Sequence, residues 1–164
     1  MNFLPISIDI ARESILIIGG GKVAIHKIES LEKFTHNIKI IALDVLPEIR
    51  ERKFIDIVEK AYQPDDLKGH LLVYAATNNH ELNSQVREDA LNYRCLVNVV
   101  DKPDNCDFIS PAIYRQKNMT VAVSSNGENV YNAIEWRDKI KEIAEAGQFP
   151  EIRSKKKSRC GDFY

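Results

Sequence analysis

The sequence predicts an α/β fold, a doubly wound parallel sheet, on three observations. Short apolar, β-branched runs recur along the first two thirds of the chain, each followed by a helical or turn-like stretch. The first complete run, Ile15 to Ile18, enters a G-x-G-x-x-A turn at Gly19, Gly21 and Ala24. A helical pattern begins directly after that turn. Strands joined through helices pack as a parallel sheet, and right-handed crossovers place the helices on both faces. A buried strand, a glycine turn and a helix N-terminus in series form a pyrophosphate cradle of Rossmann type. The glycines let the backbone turn and approach the phosphates, and the helix amides and dipole favour their charge. An ordinary tight βα turn is the alternative reading of the same residues.

The elements follow in order. Ser14–Ile18 is the first strand, and its helix runs from Lys22 to Phe34 with Val23, Ile28 and Leu31 on one face. Ile38–Ala42 is a second strand. Leu46–Arg52 reads as a short helix opened by Pro47. Phe54–Val58 is a third strand, at the edge of the sheet. Asp65–Leu67 is a turn or a short helix, and Leu71–Ala75 a further buried strand. Glu81–Asn92 is a helix with Leu82, Val86 and Ala90 on one side, and Leu96–Val100 another strand.

After Asp101 the pattern changes. Lys102-Pro103-Asp104-Asn105 is a turn-rich break. Phe108–Tyr114 and Met119–Ser124 are strand-like, and a helix covers Asn129–Ala146. Two strands and a helix make a small interaction module, expected to pair with its copy in a homodimer. The expected division is therefore residues 1–107 as a dinucleotide-binding domain, 108–147 as a β-β-α dimerisation region and 148–164 as a disordered basic tail.

Composition narrows the function classes. The formal net charge of −1 argues against a nucleic-acid surface. No apolar run approaches the roughly 18 residues of a membrane span, and no basic region precedes an apolar core at the N-terminus. Cys95, Cys106 and Cys160 share no metal-ligand spacing, and their odd number suits reduced thiols in the cytoplasm. His26, His36, His70 and His80 are scattered and read as surface or turn residues, so no metal ligands are expected.

A series of blocks carries a resemblance. These are Leu4-Pro5, Ile17-Ile18-Gly19-Gly20-Gly21-Lys22-Val23-Ala24, Ala75-Ala76-Thr77-Asn78, Val97-Asn98-Val99-Val100-Asp101, Phe108-Ile109-Ser110-Pro111-Ala112-Ile113 and Val121-Ala122-Val123-Ser124-Ser125. In this order, over residues 2–140, they resemble the precorrin-2 dehydrogenase family, which also forms the N-terminal module of siroheme synthases. The resemblance implies a Rossmann domain, then a dimerisation region, and NAD-dependent oxidation of precorrin-2 to sirohydrochlorin on the route to sirohaem. Some members also insert ferrous iron, so a bifunctional dehydrogenase and ferrochelatase is one alternative. A non-enzymatic dinucleotide- or tetrapyrrole-binding module is the other. The family often adds a C-terminal helical domain; residues 148–164 are expected not to supply it, an expectation that weighs against chelation and leaves room for a separate ferrochelatase.

The residues divide by role. Gly19, Gly20 and Gly21 form the pyrophosphate turn, with Lys22 and Val23 donating amides. By resemblance Lys22, Val23, Leu43 and Asp44 are dinucleotide contacts. Asp44, just past the second strand, can accept from ribose hydroxyls and would repel a 2′-phosphate, which favours NAD; capping of the helix at Pro47 is its other reading. Thr77 and Asn78 follow a strand at the carboxyl edge of the sheet, where they can line the cofactor site, cap the next helix, or both. Oxidation of the macrocycle releases a hydride and a proton, and the proton needs an acceptor. Asp101 matches the family's catalytic aspartate; on its own it also reads as a turn residue. Asn98, Ser124, Ser125 and Arg137 are candidate substrate contacts for a polycarboxylate, with N-capping the other reading for the serines. The chain departs from the family at 126–134: Asn126 replaces a glycine, Val130 a proline and Ile134 an arginine, and Glu128 adds negative charge.

Overall fold

A computed structural model describes residues 2–100 and 102–152. The chain forms two compact units, one running to Ser110 and including Asn126–Glu128, the other made of Pro111–Ser125 and the residues from Asn129 onward.

The larger unit is built on five parallel strands, β1 (Ile15–Ile18), β2 (Ile38–Ala42), β3 (Ile55–Glu59), β4 (Leu72–Ala75) and β5 (Leu96–Val99), in the order β3-β2-β1-β4-β5. Ile15 pairs with Ile38 on one side of β1, and Leu16 with Val73 on the other. The strands alternate residue by residue between two cores. Ile15, Ile17, Ile38, Ile40, Leu72 and Tyr74 face α1 (Lys22–Leu31) and α2 (Pro47–Arg50), which contribute Ala24, Ile28, Leu31 and Ile49. Leu16, Ile18, Ile41, Val73, Ala75, Val97 and Val99 face α3 (His80–Ala90), which contributes Val86 and Ala90. Both faces are covered, so the strands read as continuous apolar runs rather than as alternation.

The order of connections creates a switch point. The chain leaves β1 towards one face through α1 and leaves the neighbouring β4 towards the other through α3. Open α/β sheets bind ligands at the carboxyl ends of strands in that crevice.

Several boundaries differ from expectation. α1 ends at Leu31, and Phe34 lies in a turn whose amide donates to the Leu31 carbonyl at 2.8 Å. The turn or short helix expected at Asp65–Leu67 is a 3-10 helix that begins one residue earlier, Pro64–Leu67. The strand expected from Phe108 begins only at Ala112, because residues 106–108 close the outer edge of β5 instead. Asp107 exchanges bonds with Val97, its amide donating to Val97 O at 2.8 Å and its Oδ2 accepting from Val97 N at 2.9 Å. The Cys106 Sγ lies 3.1 Å from Val99 N and 3.2 Å from Val99 O. These contacts cap an otherwise exposed row of backbone donors and acceptors.

The smaller unit holds an antiparallel pair, β6 (Ala112–Gln116) and β7 (Met119–Val123), and α4 (Val130–Glu145). Asn129 caps α4, its side chain accepting from Asn132 N at 3.0 Å. Asn126 takes φ +55°. That is the left-handed region in which asparagine replaces glycine most readily.

Candidate functional site: a glycine-floored cleft at the strand ends

A cleft of about 690 Å³ opens at the carboxyl ends of the central strands. That size is ordinary for a small-molecule site. Its floor is Gly19, Gly20 and Gly21; one wall is 41–46, a second is 60–62, and Ala76 to Asn79 with Leu82 form the third. Short backbone bonds tie these segments together. Gly19 N donates to Ile41 O at 2.9 Å, Leu46 N to Gly20 O at 3.0 Å and Ala76 N to Ile18 O at 2.8 Å.

The floor fits a dinucleotide pyrophosphate. Gly21 is the N-cap of α1 and has no side-chain cap, and the first intrahelical bond runs from Ile25 N to Gly21 O at 3.2 Å. The leading amides of a helix have no partners within it. A Cβ built on Gly21 meets nothing within 4 Å, so the backbone faces open space there. Ala24, at the third motif position, is fully buried and lets α1 pack closely on the sheet. Unpaired helix amides facing an open concavity are what a phosphate group requires.

The structure brings together Gly19, Gly20, Gly21, Val23, Leu43, Asp44, Thr77 and Asn78 around this cleft. Lys22 opens α1 but its side chain is exposed and does not line the wall. Asp44 is exposed at the cleft and is not a helix cap: the N-cap of α2 is Leu46, without a side-chain bond. Thr77 lines the cleft with its polar groups turned to the protein. Its hydroxyl lies 2.7 Å from Asn83 Oδ1 and accepts from Asn79 N at 3.1 Å, while Asn83 Nδ2 donates to Thr77 O at 3.0 Å. Asn79 caps α3, accepting from Glu81 N and Leu82 N at 3.0 Å each.

The other expected site residues fall elsewhere. Asp101 lies outside the described residues. Asn98 is only 4% exposed and sits beside Tyr74 in register. Its Nδ2 donates to Phe108 O at 2.9 Å, while its Oδ1 is buried without a partner. On the same sheet face the Lys27 ammonium lies 5.3 Å over the Tyr74 ring and 3.4 Å from Ser110 Oγ, and burial pulls its pKa down. Burial likewise pushes the Tyr74 hydroxyl and the Cys106 thiol up. In the smaller unit Ser125 Oγ accepts from Asn129 N at 2.9 Å, Ser124 is exposed, and Arg137 Nε lies 2.6 Å from Asp138 Oδ1. Helix capping there belongs to Asn129 rather than to the serines.

Sequence reasoning missed the 60–62 wall, Asn79, Leu82 and the buried Asn83. Lys60, Ala61 and Tyr62 follow β3 as Leu43 and Asp44 follow β2, so the same strand-end rule reaches them. Lys60 is held by an ion pair with Asp66, and Tyr62 donates to Asp89 Oδ2 at 3.0 Å. Burial and then Asp89 push the Tyr62 hydroxyl far above its ordinary range, so it stays a neutral donor.

Comparisons with known proteins agree with this geometry. Residues 6–112 match a protein-family model described as "Putative NAD(P)-binding". A siroheme synthase of Zymomonas mobilis is 35% identical over 164 residues, covering 97% of this chain and 35% of that protein. Siroheme synthase 1 of Pectobacterium atrosepticum is 37% identical over 157 residues, covering 93% of this chain and 33% of its own length. The chain thus spans about a third of the length of these relatives. Among solved structures, "SirC, precorrin-2 dehydrogenase" superposes with a TM-score of 0.68 at 22% identity, over 88% of this chain and 71% of that one, and so shares the fold. With a family match over residues 6–112 and a glycine-floored cleft at the ends of its central strands, the chain belongs to the NAD(P)-binding family.

Proposed function

We propose that this chain is an NAD-dependent precorrin-2 dehydrogenase, oxidising precorrin-2 to sirohydrochlorin in sirohaem biosynthesis. The observation that carries the reading is the cleft itself: an uncapped helix N-terminus over open space at Gly21, facing an exposed carboxylate at Asp44. The names of the relatives and of the structural neighbour supply the substrate. Bound NAD would supply the hydride acceptor. The Gly21, Lys22 and Val23 amides hold the pyrophosphate, Asp44 accepts from the adenine ribose hydroxyls, and Thr77 and Asn78 form the wall opposite. Asp101, two residues past the end of β5 in sequence, takes the proton that leaves with the hydride. Asn98, Ser124, Ser125 and Arg137 are assigned to the substrate. The residues 108–147 serve as the dimerisation region, and the active form is a cytoplasmic homodimer; iron insertion falls to a separate ferrochelatase.

The test is NADH formation, followed by absorbance, with freshly generated precorrin-2 and NAD. Wild type turns over. Asp101→Ala keeps NAD binding and loses about a hundredfold or more in rate, the usual weight of a general base. A wild type that binds NAD without oxidising precorrin-2 overturns the assignment and leaves a binding module.

A further inference from the structure

A second carboxylate lies close to Asp44 through a shared arginine. Arg50, the last residue of α2, meets Glu59, the last residue of β3, along both edges of its guanidinium. Nη1 lies 2.6 Å from Oε1 and Nη2 2.7 Å from Oε2. The Arg50 Nε donates to the Val45 carbonyl at 3.2 Å, and Val45 is part of the cleft wall next to Asp44. Asp44 also acts through space on the Arg50 charge, which the Glu59 hydrogen bonds hold above its ordinary pKa. A guanidinium therefore stands beside the ribose-binding carboxylate, with its fork filled from another element.

That fork matters for a phosphorylated cofactor. A 2′-phosphate adds a charge approaching roughly −2. Sites that take it commonly present an arginine near the acidic position. The guanidinium fork receives a carboxylate and a phosphate in the same bidentate geometry. Glu59 thus fills the guanidinium fork that a phosphate would otherwise engage, while Arg50 reaches the cleft wall through its bond to Val45 O. An exposed pair of this kind contributes little to stability, so its placement beside the cleft is free to serve selectivity.

We infer that Glu59 is a specificity-determining residue: it engages Arg50 and, together with Asp44, excludes a 2′-phosphorylated dinucleotide. This rests on reading the cleft as the dinucleotide site. The neighbouring acid makes a single substitution insufficient, because Asp44 can capture Arg50 once Glu59 is gone.

The experiment is equilibrium binding of NADH and NADPH to the full chain by calorimetry. It compares wild type, Asp44→Ser, Asp44→Ser/Glu59→Ala, and that double variant with Arg50→Gln added, with thermal melts confirming the fold. Wild type prefers NADH, and Asp44→Ser relaxes the preference. Adding Glu59→Ala shifts the NADPH-to-NADH affinity ratio a further roughly tenfold, the yield of one freed charge-assisted contact. Adding Arg50→Gln takes that gain away. An unchanged ratio on removing Glu59 overturns the inference while leaving the cleft reading intact. So does a gain that survives Arg50→Gln, since it would reflect net charge alone. A wild type that binds neither dinucleotide overturns the cleft reading and this inference with it.

Discussion

At Gly19 the backbone takes φ +123°, and a Cβ there would lie 2.3 Å from the Ala76 carbonyl oxygen. At Gly20 a Cβ would lie 2.3 Å from Asp44 O and 2.8 Å from Val45 Cα. Both obstacles are backbone, and both belong to strand ends that the fold holds together, so neither can yield cheaply. Gly21 differs: its φ of −93° suits any residue, and a Cβ meets nothing within 4 Å. Gly19→Ala and Gly20→Ala are therefore expected to cost about 3 kcal/mol or more in urea denaturation. Gly21→Ala is expected to stay within about 0.5 kcal/mol of wild type, since the freedom lost by the unfolded chain offsets a poorer cap. The same variant should lose dinucleotide affinity by roughly tenfold or more, because its methyl group occupies the space the pyrophosphate needs. A Gly21→Ala protein that binds NADH as wild type does would remove Gly21 from the site. The motif was legible as a string of glycines. Which glycine serves the fold and which the ligand was not, because the answer lies in residues 44, 45 and 76, each remote from the turn in sequence.

The wall made by Ala76 to Asn79 is set by one residue of α3. Asn83 is 1% exposed in a helix, a position that asparagine occupies at some cost in propensity. Its amide receives the Thr77 amide at 3.2 Å and gives its own hydrogen to the Thr77 carbonyl at 3.0 Å. Asn83→Leu leaves those half-buried backbone groups unpaired and is expected to cost about 1–3 kcal/mol. Asn79→Ala removes only the cap and is expected to cost about 1 kcal/mol. Asn83→Leu should also weaken NADH binding, since the strand-end loop loses its brace; equal losses in the two variants would show that the brace is unimportant. The strands and helices of the sheet were legible because β-branched apolar runs such as Ile15–Ile18 and Ile38–Ala42 can only be buried on both faces. The late start of β6 was not. Phe108 is apolar and looks strand-like, yet its carbonyl accepts from Asn98, which sits ten residues earlier in the chain. The Arg50–Glu59 pair was equally hidden, since it joins a helix to a strand that only the folded sheet brings together.

At the scale of the whole molecule the two units carry different burdens. The cleft is built entirely from residues of the larger unit. The smaller one has a sheet of only two strands, which is marginal as an independent structure. Among the described residues, Met119, Val130, Tyr131, Trp136 and Phe149 of that unit are large apolar side chains left exposed, Tyr131 at 81% and Trp136 at 69%. Large exposed apolar and aromatic side chains are the residue types that interaction surfaces favour. The homodimer proposed above would place a second copy there, adding buried apolar area that the two strands and α4 do not supply alone. Sedimentation velocity over a range of concentrations should then find wild type at twice its 18.7 kDa mass. Trp136→Glu puts a charge into the contact and should shift the protein to monomer, with Tyr131→Glu as a second variant should the first fail to fold. Because the cleft belongs to the larger unit, the monomeric variant should still bind NADH while losing turnover with precorrin-2 if the partner shapes the substrate site. A wild type that remains monomeric at every concentration, with full dehydrogenase activity, would leave these aromatic residues without the second copy and assign their surface to another partner.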